Sequence, residues 1–268
     1  MPHMLILGMG YTASRLASRL RAEGWHITGV RRAADAEALA FDDEGTVRAA
    51  VAQATHILSS VPPLGDADPV LTRYGAALEA APAIWTGYFS STGVYGDAAG
   101  AWVDEGSPIG FGRRAARTQA DADWGALRPD MRRFRLPGIY GPGRSALDRV
   151  REGRAHRIDL PDQVFSRAHV DDIVAGVIAS LRQGPPGIFN LSDDLPCAQN
   201  RLVEEACLLL GQPVPPLLTL EEAQLSAMAR SFYAENRRVA NGRAKRLLGW
   251  SPLYPTYREG LRACHEAT

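Results

Sequence analysis

Met4-Leu-Ile-Leu-Gly8-Met-Gly10-Tyr-Thr-Ala13-Ser-Arg-Leu16 is the stretch whose reading decides the fold. Four apolar residues run into a glycine turn. Behind the turn, Leu16 and Leu20 recur on one helical face while Arg15, Arg19 and Arg21 fall away from it. The pattern is that of a buried strand, a tight turn and a helix, and its G-x-G-x-x-A spacing is that of a dinucleotide-binding turn. Gly8 permits the turn, Gly10 lets a pyrophosphate approach the backbone, and Ala13 lets the helix lie close on the strand. Together with Tyr11 and Thr12 they form a helix opening whose free N–H groups and positive dipole end face phosphates.

Working outward, His26-Ile-Thr-Gly-Val30 reads as a second strand and is followed by Arg31 and Arg32. A site for NAD places an acid here, about 20 residues past the glycines, to hold the ribose 2′-hydroxyl. Two guanidinium groups suit a 2′-phosphate instead, so NADP is expected over NAD, with Asp35 as the acid if NAD is the cofactor. Strands follow at Leu39–Phe41, His56–Val61, Ile84–Ser90, Met131–Leu136 and Ile188–Asn190, the second of these stopped by Pro62-Pro63. Helices are expected over about 46–53, 69–80, 113–127, 146–152, 170–181, 200–210, 220–231, 241–247 and 257–266, with polar positions at Arg114, Arg117 and Asp121. Strands alternating with helices predict an α/β fold, a Rossmann-type doubly wound parallel sheet. Ligands of such sheets sit at the carboxyl ends of the strands, where Asp42, Ser59–Val61 (with Ser60 and Val61) and Ser90–Thr92 all fall. Residues 1–142 form the nucleotide domain, completed by about 168–190. Residues 143–167 and 191–268 form a smaller, mainly helical C-terminal substrate lobe.

The formal net charge is zero, which favours neither nucleic acid nor an anionic membrane as a partner. No apolar run approaches 18 residues, so a soluble, cytoplasmic protein is expected. Cys197, Cys207 and Cys264 have no metal-ligand spacing and read as reduced thiols; no metal is expected. Lys245 is the only lysine among 30 basic residues, which constrains any mechanism that needs one.

Five motifs in order resemble one family, the extended short-chain dehydrogenase/reductases of the NAD(P)-dependent epimerase/dehydratase group. They are the opening turn, Ser90-Ser-Thr-Gly-Val-Tyr-Gly96, Arg135-Leu-Pro-Gly-Ile-Tyr-Gly-Pro-Gly143, His169-Val-Asp-Asp-Ile173 and Leu248-Gly-Trp-Ser-Pro252, spread over nearly the whole chain. The resemblance implies that Ser91 is the active-site Ser/Thr that hydrogen-bonds the reacting oxygen. It implies that Pro137 and Gly138 line the nicotinamide side, that Ile139 after them meets the carboxamide, and that Asp42 meets the adenine. It also implies a small-molecule substrate and a homodimer packed through the helices near 69–80 and 113–127.

Two departures stand out. The glycine turn is one residue shorter than the family's, and the family's Y-x-x-x-K pair is missing. Phe111 stands where the tyrosine belongs and Ala115 where the lysine belongs, with no tyrosine between Tyr95 and Tyr140. The chain thus resembles an atypical subgroup that lacks the pair. Tyr95 and Tyr140 are the candidate replacement acids, with packing as the alternative for Tyr95. Thr92, Arg144, Arg167 and His169 are candidates for substrate contact; capping or packing is the alternative for His169, and surface solvation for the arginines. Two functions follow: an NADP-preferring oxidoreductase acting on a small polar, nucleotide-sugar or anionic substrate, and a non-catalytic NADP(H)-binding sensor.

Overall fold

The computed structural model describes residues 1–110, 112 and 115–267, with every side chain among them but that of Met228. The first half runs β1 (His3–Leu7), α1 (Tyr11–Ala22), β2 (His26–Arg31), β3 (Ala38–Ala40), α2 (Glu44–Gln53), β4 (His56–Ser59), α3 (Pro69–Glu79) and β5 (Trp85–Ser91). It continues through β6 (Trp102–Val103), α4 (Ala115–Leu127), β7 (Met131–Leu136), β8 (Gly138–Tyr140), α5 (Ala146–Arg151), β9 (Arg157–Ile158), β10 (Arg167–His169), α6 (Val170–Arg182) and β11 (Gly187–Asn190). The remainder is α7 (Gln199–Leu210), β12 (Leu217–Leu218), α8 (Ala227–Phe232), β13 (Arg238–Val239), α9 (Gly242–Leu248) and α10 (Tyr257–Glu266).

Seven strands form one parallel sheet in the order β11-β7-β5-β4-β1-β2-β3. This is the expected doubly wound sheet. The chain leaves β1 toward β2 and β3, then returns to the other side of β1 with β4, which opens a crevice at the carboxyl ends of β1 and β4. β1 is apolar throughout because both of its faces are covered. Met4 and Ile6 join the core with α1 and α6, whereas Leu5 and Leu7 join the core beneath α2 and α3. Local signals set the helix starts. Asp43 accepts from the Thr46 N–H to open α2, and Asp68 accepts from the Val70 and Leu71 N–H groups to open α3, with Pro69 in its first turn.

A third core gathers Tyr140 with Ala146 and Leu147 of α5, Leu202 and Ala206 of α7, and Tyr257, Leu261 and Cys264 of α10. Ala244 and Leu248 of α9, with Trp250, pack instead into the α1/α6 core, so this part of the C-terminal segment serves the sheet. The continuous helix expected over 220–231 is replaced by a turn and the short α8, because Gln224 takes a left-handed φ of 45° that a helix does not continue through. Further on, β13 lies parallel to β6, and the Asn236 carbonyl accepts from Ala98 N (3.0 Å) and Gly100 N (2.9 Å), strapping the segment after β5 to the C-terminal part of the chain.

Candidate functional site

At the crevice the ends of three strands meet on Gly8. Its N–H donates to Val30 O of β2 at 3.0 Å. Ser60, just past β4, donates its N–H to Leu7 O at 2.8 Å and its Oγ to Gly8 O at 2.7 Å. Gly8 has φ +94°, and a Cβ there would lie 2.8 Å from Val61 Cγ2, so both conformation and space require glycine. Gly10, by contrast, faces open space, with no atom within 4 Å of where a Cβ would be. It is also the N-cap of α1, which has no side-chain cap and no acid in its first turn. Ser14 N to Gly10 O, at 2.8 Å, begins the helical hydrogen bonds. The N–H groups of Tyr11, Thr12 and Ala13 before it therefore have no intrahelical acceptor. An uncapped helix end over an open glycine fits a diphosphate.

At the end of β2, Arg31 forms an ion pair with Asp35, whose Oδ1 also accepts from Glu37 N at 2.8 Å. Arg32 is exposed. Asp42 is exposed and pairs with Arg73 of α3. Met9 went unremarked in the sequence, yet its side chain lies on Gly29 of β2, where a Cβ would fall 2.7 Å from Met9 Cγ.

The second half of the site lies at the ends of β5 and β7. Ser91 pairs in register with Leu136, which brings it beside Pro137 and Gly138. Its half-buried hydroxyl accepts from Gly93 N at 3.1 Å, capping the Thr92–Tyr95 turn, and keeps its hydrogen for another acceptor. Ile139 is half-buried against the α1/α6 core, and Thr92 is buried beneath the turn. The loop after β6 folds back here, since a Cβ on Gly112 would lie 2.7 Å from Gly93 O. Phe111 lies outside the described residues, as do Arg113 and Arg114.

Several candidates are turned into the protein. Tyr95 is 3 % exposed and donates to Asn190 Oδ1 at 2.8 Å, so it ties the turn to β11. Tyr140 is 4 % exposed under α10, with its hydroxyl unpaired; burial, Asp193 and Asp172 push its pKa far up. His169 is buried. Its Nδ1 accepts from Asp171 N at 3.2 Å to cap α6, and burial holds its pKa down to about 4, against Asp171. Arg167 is buried too, spending its guanidinium on Phe165 O, Cys197 O and Gln199 Oε1 at 2.9, 3.1 and 2.9 Å. Of the expected substrate arginines only Arg144 faces solvent. It stacks 5.6 Å from the Tyr11 ring, whose hydroxyl donates to Pro142 O at 2.9 Å. Lys245 is held by both oxygens of Asp194, at 2.6 and 2.8 Å.

Asp121, expected on a polar helix face, is fully buried instead. Its carboxylate accepts from Ser90 Oγ (2.6 Å), Arg135 Nε and Nη2 (3.2 and 2.8 Å) and Arg133 Nη1 (2.9 Å). Burial works against the charge, but these partners outweigh it and hold the carboxyl below its ordinary range. This web pins α4 to β5 and β7 just beneath Ser91. On the expected dimer helices, the described residues of α3 and α4 include no exposed large hydrophobic side chain.

A structure of a functionally unknown conserved protein from Silicibacter pomeroyi DSS is 39 % identical, covers 100 % of this chain and 99 % of its own, and superposes with a TM-score of 0.93. The chain belongs to that protein's family. A human epimerase family protein solved with NADPH is 17 % identical over 99 % of this chain and 100 % of that one, with a TM-score of 0.81. MoeE5, solved with UDP-glucose and NAD, is 19 % identical over 98 % of this chain and 97 % of that one, with a TM-score of 0.74. The fold is therefore that of the epimerase-type short-chain dehydrogenase/reductases, as the motifs implied. A 3-diazoavenalumate denitrifying reductase of a Streptomyces species is 31 % identical over 139 residues, 48 % of this chain and 45 % of that protein; the match spans less than half of its length. No protein-family model matches the chain.

Proposed function

We propose that the chain is an NADP(H)-preferring oxidoreductase of the epimerase/dehydratase type, acting on a small polar substrate, anionic or a nucleotide sugar, without a Tyr-x-x-x-Lys pair. One observation carries the reading: the open, uncapped start of α1 shares the carboxyl edge of a single sheet with Ser91, Pro137 and Gly138. Gly8, Gly10 and the N–H groups of Tyr11, Thr12 and Ala13 would hold the diphosphate, with Ser60 and Val61 as its wall. Arg31 and Arg32 would hold the 2′-phosphate, Asp42 would meet the adenine, and Pro137, Gly138 and Ile139 would line the nicotinamide. Bound there, a nicotinamide supplies or accepts hydride.

Ser91 would donate its hydroxyl hydrogen to a substrate oxygen, and Arg144 would meet an anionic substrate group. With Tyr95 and Lys245 bonded elsewhere and Tyr140 buried, the proton comes from water, or the hydride acceptor needs none. The Streptomyces relative is named as a reductase of a diazo compound, an electron-poor acceptor class that takes hydride without a phenol to protonate a carbinol oxygen.

The same buried phenols favour a second reading, a sensor that binds NADP(H) without turnover. Following NADPH fluorescence over a panel of nucleotide sugars, keto acids, aldehydes and aryl diazo compounds separates the two. Oxidation that falls on Ser91→Ala supports the enzyme. Tight NADPH binding with no turnover on any acceptor supports the sensor, and absence of NADPH binding sinks both.

A further inference from the structure

At the edge of the sheet opposite the glycine turn, the amino ends of β4, β5 and β7 and the carboxyl end of α6 line an open surface cleft of about 170 Å³. Its lining includes His56, Trp85, Arg132 and Arg182 and, among the described residues, no carboxylate. Arg132 is 9 % exposed, and its guanidinium donates to two main-chain carbonyls, Asp130 O at 3.1 Å and Gly184 O at 3.3 Å, with the Asp130 carboxylate offsetting part of its charge from nearby. Its Nε has no hydrogen-bond partner. The neighbouring carboxylate, Asp130, is gripped through both oxygens by Arg128 at 2.8 and 3.1 Å. A cation withdrawn from water without a paired anion is costly, and an anion brought to it removes that cost. The Trp85 ring centroid lies 5.8 Å from the guanidinium carbon, and Trp85 Nε1 donates to Ser180 O at 3.2 Å, which fixes the ring against which Arg132 lies.

His56 refines the chemistry. Thr55 Oγ1 lies 3.0 Å from His3 O and 2.8 Å from His56 Nδ1; when its one hydrogen goes to His3 O, the ring Nδ1–H is the donor to Thr55. Nε2 is then an acceptor. Burial and the nearby Arg132 hold the imidazole neutral, with its pKa down at about 4. A cationic donor and a neutral acceptor on one wall match an oxyanion that carries an O–H of its own. Arg182 adds a second, exposed cation at the rim, shared with Glu23 at 3.0 Å.

We propose that this cleft is a binding site for a hydrogen-phosphate group, Arg132 and Arg182 meeting its oxygens and His56 accepting its hydrogen. The volume falls below the roughly 300–1,000 Å³ of ordinary cofactor pockets and suits orthophosphate or the phosphomonoester end of a molecule. The site does not depend on the function proposed for the opposite edge.

Isothermal titration of orthophosphate into the full chain tests it, with phosphorus NMR as a second readout. Saturable binding is expected, weakened about tenfold or more by Arg132→Gln, as for loss of a charged hydrogen-bond set, and severalfold by Arg182→Ser. Sulfate, which has no hydrogen for His56, should bind more weakly. Displacement of orthophosphate by phenyl phosphate would identify a monoester site, and failure to displace it a site for the free ion. Arg182 is exposed, so its variant keeps the test informative if Arg132→Gln folds poorly. Phosphate affinity unchanged in both variants, which would place binding at the glycine turn, or no binding to the wild type, overturns the proposal.

Discussion

Replacing Arg31 and Arg32 together by alanine should weaken NADPH binding by about two orders of magnitude and leave NADH binding unchanged. A charge-assisted hydrogen bond contributes about 1.5–3 kcal/mol net, and the low end applies to both residues here. Arg32 is exposed, and Arg31 must first give up Asp35, with which it is paired in this structure. Two such contributions total about 3 kcal/mol, roughly a hundredfold in Kd. Quenching of tryptophan fluorescence on titration with each nucleotide measures both constants. The ion pair adds a second arm: Asp35→Asn frees Arg31, so NADPH should bind more tightly and NADH no differently. Equal NADPH affinity in the double variant, or an equal loss for NADH, would refute the phosphate-clamp reasoning, the latter by showing that the arginines act on the shared part of the nucleotide.

Three other outcomes follow from the buried groups. Tyr140→Phe removes a hydroxyl that has no partner and should raise stability by about 1 kcal/mol in urea unfolding, with cofactor binding untouched; a tenfold loss of turnover would restore Tyr140 as an acid. Asp121→Asn strands two arginines in the core and should cost about 3–5 kcal/mol. The native carboxyl titrates below its unfolded value, so the wild type loses this contribution as pH falls through the folded pKa, and the variant should lack that part of the acid slope. Asp193 has the opposite sign: burial raises it to about 8, Arg167 opposing, so the folded protein holds a proton that the unfolded chain releases near pH 4. Stability therefore falls as pH rises from about 4 to 8, and Asp193→Asn should raise Tm more at pH 8 than at pH 5.

The nucleotide half was legible because its determinants are contiguous. An apolar strand covered on both faces, a glycine turn and a small residue on the helix all lie within ten residues of Met4, and each arginine at the end of β2 follows its strand directly. The failures share one cause. Tyr140 sits in loop-like sequence at a strand end, where exposure is the natural expectation, whereas His169 takes the capping place that is its other reading. Both are buried by α10, whose Cys264 reaches His169 from 95 residues downstream, and no local pattern announces that contact. Asp121 misled in the same way: a charged residue in a helix with other charges reads as solvated until Arg133 and Arg135, one strand later, are seen to point at it. The lone Lys245 needed no structure. It is the chain's only lysine, and its bond to Asp194 shows where its charge is used.

The strap formed by β6 and β13 bears on how substrate preference could be exchanged between relatives. The segment that follows Ser91 is held in place by Asn236, Arg237 and Arg238, and Arg237 Nη1 reaches back to Gly96 O at 2.7 Å. A chimera that imports only a foreign C-terminal region would leave the 96–103 segment docked on mismatched residues. Recombination boundaries chosen from chain order alone would cut through this joint. The transferable module is discontinuous: residues 96–103 and 235–240 have to travel together.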